Sequence, residues 1–287
     1  MVAFEVPEID YTRYSNRQLA AVPLAVLGLA LLVLVAWYAM TGAPVGLGIE
    51  FTGGTELVVT ETAQSPDSFD AAFSAEISAS RPIQTQEGTY ILTFQSTNTE
   101  TLRSQARSAG YVVESYTGTN PTFGQAAQRT ALQGVLIAFL GMSVVVFLLF
   151  RSLVPSVAVV VSAFSDIVIP VALMNVFGIK LSLGTVAALL MLIGYSVDSD
   201  ILLNNHVLRR SGGFYESAAR AMRTGVTMTV TSIAAMAVMS VVAYLFGIGL
   251  LSSIGIVLVF GLTADLMNTY MLNYSLLRWY KYEGVAR

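Results

Sequence analysis

A chain of 287 residues in which 55% are hydrophobic and only 11% charged, with a formal net charge of −3, is far from a soluble domain, where roughly a quarter of residues are charged. It reads as an integral membrane protein. The absence of cysteine excludes disulfides, thiolate chemistry and Cys-ligated metals, and a single histidine excludes a His-rich metal site.

In chain order, a charged, proline-containing leader precedes an apolar run at 19–40, long enough to remain as a helix rather than be cleaved as a signal. Further apolar runs lie at 132–150, 153–177, 181–205, 224–246 and 250–277. Each has the ~20 residues needed to cross a bilayer core of about 30 Å. The chain divides accordingly into a cytoplasmic segment 1–18, a first span 19–41, an external domain 42–129, spans two to six within 130–278 and a tail 279–287. Arg151, Arg209, Arg210, Arg220, Arg223, Arg278, Lys281 and Arg287 fall on the same side as Arg13 and Arg17, whereas the opposite short loops hold only Lys180. The positive-inside rule then sets both termini in the cytoplasm and 42–129 outside the cell membrane.

Within the polar segment, 55–60 is β-rich. Residues 65–79 open with Ser65-Pro66-Asp67 as a helix start and carry Phe69, Phe73 and Ile77 at helical spacing. Strands are expected at 82–86 and 90–95 around a Glu87-Gly88 turn, a second helix at 99–109 stopped by Gly110, and a last strand at 111–116. The order βαββαβ is the ferredoxin-like unit, here with a thin core. Nine acidic residues against four basic ones make the segment negative, which suits a solvated surface or a salt-rich setting and disfavours nucleic-acid binding.

The spans carry the chemistry. Asp166, Asp198, Asp200 and Asp265 stand at or near the middles of apolar runs, where an ionisable group costs from a few to more than ten kcal/mol. They are candidate proton- or ion-coupling residues in a shared layer, with Asp198 foremost and with Ser196 and Ser199 as its hydrogen-bonding neighbours. Asp198 and Asp200, two apart, point to nearly opposite helix faces. His206 and Arg223 are possible relays at the inner end. Residues 213–222 read as a short amphipathic helix on the inner surface, anchored by Phe214 and Tyr215. Asn175, Asn204, Asn205, Asn268 and Asn273 are expected to bond between helices, and Gly134, Ala138 and Gly141 form a small-residue face. No Gly-x-Gly-Asp of an intramembrane aspartyl protease and no phosphate-binding G-x-x-x-x-G-K-[ST] loop occurs, so neither proteolysis nor nucleotide hydrolysis is expected.

Two segments point to a family. Gly48-Ile49-Glu50-Phe51-Thr52-Gly53-Gly54 follows the first span, and Gly194-Tyr195-Ser196-Val197-Asp198-Ser199-Asp200 lies in the fourth. With Ala163-Phe164-Ser165-Asp166 in the third span and six spans around an external domain, the chain resembles the SecF branch of the SecD/SecF protein-export family, within the resistance-nodulation-division superfamily. Glu50 stands where that family usually has Asp, Ser199 where bacterial members keep the fourth-span aspartate, and Thr227 where they have an arginine; Asp265 gives the chain an archaeal look. The resemblance implies a cofactor-free, non-enzymatic accessory to the Sec channel, driven by a proton or sodium gradient. Its implied partners are a SecD-type protein, the channel itself and unfolded secretory polypeptide. The alternative is a half-unit of a lipid or small-molecule exporter.

Overall fold

The computed structural model describes residues 10–63, 65, 69–209 and 213–283. Six helical stretches are long and apolar enough to cross a membrane. The first is α1 (Asn16–Thr41), opened by a reciprocal Ser15/Gln18 capping box and closed by Gly42 at φ 77°. A four-residue turn of helix, α2 (Ile49–Thr52), leads into a four-stranded sheet of β1 (Gly54–Thr60), β2 (Ile77–Pro82), β3 (Thr89–Phe94) and β4 (Val112–Thr119), with α3 (Thr99–Ser108) between the last two strands. The sheet is antiparallel in the order β2-β3-β1-β4, so each strand–crossover–strand pair is split by one inserted strand, as the ferredoxin-like pattern requires.

The remaining spans are α4 (Pro121–Phe150), α5 (Leu153–Val176), α6 (Leu183–Arg209), α7 (Phe214–Leu245) and a sixth made of α8 (Gly249–Met267), a wider π-helical segment Asn268–Asn273 and α9 (Tyr274–Tyr282). Helix α5 is central and α4 peripheral: 61% of the apolar stretch of α5 is buried against 6% for α4. Asn120 caps α4 with Pro121 at its first position, which starts that helix well before its apolar run. At the bundle end away from the sheet, Arg278 donates to the carbonyls of Tyr11 (2.9 Å) and Tyr14 (2.7 Å) and to the Asn16 side chain, tying α9 to the start of α1.

Three local expectations are corrected. The helix expected over 65–79 is replaced, in its described part, by a single 3-10 turn at Phe69–Ala71, and Ile77 begins β2; Pro66 and Asp67 lie outside the described residues. Phe69 and Phe73 still reach the sheet core, Phe73 packing 4.9 Å from Phe94, because burial against Leu57, Leu92, Leu102 and Ala106 outweighs the weak helical propensity of this stretch. The strand expected at 82–86 instead ends at Pro82, whose missing N–H suits the end of an edge strand, and 83–88 turn back through Gly88 at φ 73°. Residues 213–222 are not a separate surface helix but the first turns of α7. Phe214 is buried among Tyr274, Tyr215 and Tyr282 rather than anchored in lipid.

Candidate functional site

Three of the four intramembrane aspartates meet. Asp166 on α5, Asp200 on α6 and Asp265 on α8 are 1%, 0% and 2% exposed. Asp166 accepts from Ser196 Oγ (2.6 Å) and Asn268 Nδ2 (2.5 Å). Asp200 Oδ1 accepts from Asn273 Nδ2 (2.7 Å) and Thr269 Oγ1 (3.0 Å). Ser199 Oγ lies 2.7 and 2.9 Å from the two carboxyl oxygens of Asp265, and Thr269 Oγ1 is 3.3 Å from Oδ1 of the same carboxyl. Thr269 therefore sits between Asp200 and Asp265, and its one O–H serves one of them at a time.

The local chain explains this convergence. Asp265, Asn268, Thr269 and Asn273 recur at helical spacing along the sixth span, and the π-helical segment widens the turn that carries the last three. On α6, Ser196 and Ser199 flank the same face as Asp200, one reaching each neighbouring carboxyl. Asp200 Oδ2, Ser162 Oγ, Asn268 Oδ1 and Asn273 Oδ1 are buried without a hydrogen-bond partner among the described residues, so the layer holds unused polar capacity. Among the described residues the ion pairs are Arg13–Asp10, Arg103–Glu100 and Arg220–Glu216, all away from this layer. No group of three His, Cys, Asp or Glu residues among them is placed to hold a metal ion.

Apolar layers close both sides. Toward the sheet lie Phe51, Leu181, Val186, Leu189, Leu192, Leu258 and Leu262. Toward the chain ends lie Leu203, Val207, Phe214, Ala221, Tyr274 and Leu277, with the Tyr270 hydroxyl resting 3.5 Å from the Ala221 carbonyl where Gly225 leaves room. The carboxyl layer is thus occluded from both ends.

The other expected residues are placed elsewhere. Asp198, foremost in sequence, is exposed on the opposite face of α6 and does not join the layer, and Ser196 and Ser199 bond Asp166 and Asp265 instead of it. Tyr195 is on that outer face, its hydroxyl 3.4 Å from Ser232 Oγ, and Gly194 is exposed beside it. Arg223 lies on the outer face of α7, lining with Thr227, Met228, Thr231 and Ser232 an open groove of about 540 Å³. His206 is buried, its Nδ1 2.8 Å from the Leu202 carbonyl. Sequence reasoning passed over Ser162 and Thr269. The polar face of the sixth span was the available signal for Thr269.

The glycine-rich segment is a second built feature, a strap across the sheet-side ends of the spans. Gly46 and Gly48 bracket Leu181: Leu181 N donates to Gly46 O (2.7 Å) and Gly48 N donates to Leu181 O (2.8 Å). Asn175 ties down the same segment, donating to Pro44 O (2.8 Å) and accepting from Gly46 N (3.3 Å), rather than bonding between spans. Phe51 is buried in the apolar layer, and Thr52 Oγ1 donates back to the Gly48 carbonyl (3.2 Å). Glu50 Oε2 accepts the Leu183 N–H at 2.5 Å, at the first turn of α6. Gly53 and Gly54, at φ 82° and 146°, turn the strap into β1. A Cβ on Gly53 would stand 2.7 Å from the Pro121 ring and one on Gly54 would strike the Phe94 carbonyl, so both positions require glycine.

These two features coincide with the family signatures. The SecD/SecF C-terminal domain of protein-export membrane proteins matches residues 99–283, and the SecD/SecF GG motif matches 38–60. The protein-export membrane protein SecF of Haloferax volcanii is 68% identical over the whole of both chains, and that of Haloquadratum walsbyi 63%. SecF of Pyrococcus furiosus is 39% identical over 91% of this chain and 90% of its own. Among solved structures, SecDF of Thermus thermophilus, a translocon-associated membrane protein, superposes over 97% of this chain with a TM-score of 0.68 at 19% identity; the match spans 40% of that longer chain. The chain belongs to the SecF family of protein-export membrane proteins.

Proposed function

We propose that this chain assists polypeptide export by the Sec channel, coupled to a transmembrane proton or sodium gradient through Asp166, Asp200 and Asp265. The observation that carries this is the layer itself: three carboxyls from three spans share hydroxyl and amide donors, with no ion-pair partner among the described residues. Three simultaneous negative charges in hydrocarbon are too costly to persist, so the layer's charge depends on the protons or cations it takes up. An occluded layer between two apolar plugs is one state of an alternating-access cycle, and Thr269 and Ser199 provide bonds that can switch between carboxyls.

The partner is a SecD-type protein. The related SecDF chain is much longer than this one, and Asp198, Tyr195 and the groove beside Arg223 form a polar outer face on α6 and α7 that lipid would not favour. Both termini are cytoplasmic and the sheet is external, in keeping with the arginine asymmetry; on this reading 42–129 is the external domain, and the first turns of α4 rise from the membrane. The exposed outer edge of β4 offers unpaired backbone to an extended polypeptide emerging from the channel.

The test is export of a secreted reporter in cells whose only copy carries Asp166→Asn, Asp200→Asn or Asp265→Asn, with and without an uncoupler. Each variant should assemble, yet lose the uncoupler-sensitive part of export. Parental uncoupler sensitivity in all three would refute the coupling role.

A further inference from the structure

We propose that Glu50 is a positioning residue for gradient coupling: it fastens the outer end of α6, the helix that carries Ser196, Ser199 and Asp200, to the strap that continues into the external sheet. The inference rests on reading the carboxyl layer as the coupling site.

The strap has no slack on either side. Its membrane side is bound to Leu181 and Asn175 and anchored by Phe51 in the apolar layer. Its outer side runs through Gly53 and Gly54 directly into β1, the strand paired with both β3 and β4. A Cβ on Gly124 would stand 2.5 Å from the Phe51 carbonyl, so α4 is also packed against the strap. Any shift of the Leu183 end of α6 is therefore passed to the sheet, and the Glu50 contact with Leu183 is where a side chain makes that connection.

Helix α6 does not need Glu50 in order to form. Ser182 and Thr185 already cap it reciprocally: Ser182 N donates to Thr185 Oγ1 (2.8 Å) and Thr185 N donates to Ser182 Oγ (3.1 Å). Glu50 takes the remaining N–H of Leu183, where its negative charge also meets the positive end of the helix. From Leu183 to Asp200 the helix runs about 25 Å, a stiff rod with the carboxyl layer at one end and the strap at the other. The carboxylate is better explained as a coupling between bodies than as a requirement for folding.

In cells whose only copy is the variant, with the partner protein present, Glu50→Ala removes both the acceptor and the charge, whereas Glu50→Gln keeps an acceptor. The gradient-dependent increment of export should fall about fivefold in Glu50→Ala, equivalent to the ~1 kcal/mol typical of a helix N-terminal cap, and less in Glu50→Gln. Membrane levels and uncoupler-resistant export should be unchanged. An unchanged increment in Glu50→Ala, or a parallel fall of both parts of export, would overturn the inference. Should Glu50→Ala fail to accumulate, Glu50→Gln decides by the same ratio. Asp200→Asn measured alongside separates the two readings. If it and the Asp166→Asn and Asp265→Asn variants all keep the increment, the coupling site itself is wrong; if Asp200→Asn loses the increment while Glu50→Ala keeps it, only the role of Glu50 fails.

Discussion

Replacing Asp200 by Asn separates charge from shape at the centre of the carboxyl layer. Asp200 Oδ1 accepts from Asn273 and Thr269, and an Asn carbonyl in the same place keeps both bonds. Oδ2 has no hydrogen-bond partner among the described residues. Asp200→Asn should therefore cost little stability, whereas Asp200→Ala leaves the buried Asn273 amide without its acceptor, at about 1–3 kcal/mol, while Thr269 can still turn to Asp265, and should lower assembly. The functional loss runs the other way. One charge moved through 100 mV is worth about 2.3 kcal/mol, close to a fiftyfold bias on a two-state equilibrium. A layer that cannot change its charge at Asp200 forfeits that bias even when fully folded. The assay is the ratio of reporter export before and after uncoupling, normalised to the amount of protein in the membrane. Asp200→Asn should bring that ratio close to one, and Asp198→Asn, on the outer face, should leave most of it. Loss in Asp198→Asn with a parental ratio in Asp200→Asn would refute the assignment of coupling to the inner face of α6.

Gly124→Ala should destabilise the protein by about 1–3 kcal/mol, because the new Cβ meets the Phe51 carbonyl, whereas Gly134→Ala, with open space around it, should be neutral; thermal unfolding of the purified complex reads both. Burial holds the Glu56 carboxyl above its ordinary range, with Arg81 opposing and Glu50 reinforcing the shift, so its folded form keeps a proton that the unfolded chain has already lost. Stability from this group is thus full below the ordinary carboxylate range and lost as pH rises through the folded value; Glu56→Gln should raise the unfolding midpoint at neutral pH and change nothing in acid. Asp198→Leu should leave the chain folded but weaken co-purification with a SecD-type partner, and tighter association would count against an interface there. A reporter inserted near Ser96 should be found outside the cell and one fused after residue 287 inside; both on one side would overturn the six-span topology.

The spans were legible because a bilayer asks only for length and apolarity, and the strand order followed from turn residues such as Gly88 and Gly110. The stretch after Ser65 was not legible, since Phe69 and Phe73 fit the sheet core equally well from a helix or from a 3-10 turn, and only the edge of β3 decides that Ile77 extends as a strand. The two fourth-span aspartates illustrate a deeper limit. Separated by about 200° on the helix, they must face opposite ways, but which one faces inward is set by how α6 is rotated about its own axis, and local sequence is silent on rotation. The partners on the sixth span settle it: Thr269 and Asn273 reach Asp200, and Ser196 and Ser199 on the same side reach Asp166 and Asp265. This leaves α6 with one carboxyl in its own chain's occluded layer and another on an open face. The two carboxyls ride on one rigid helix, so a rotation of α6 that reorders the inner bonds must also move Asp198.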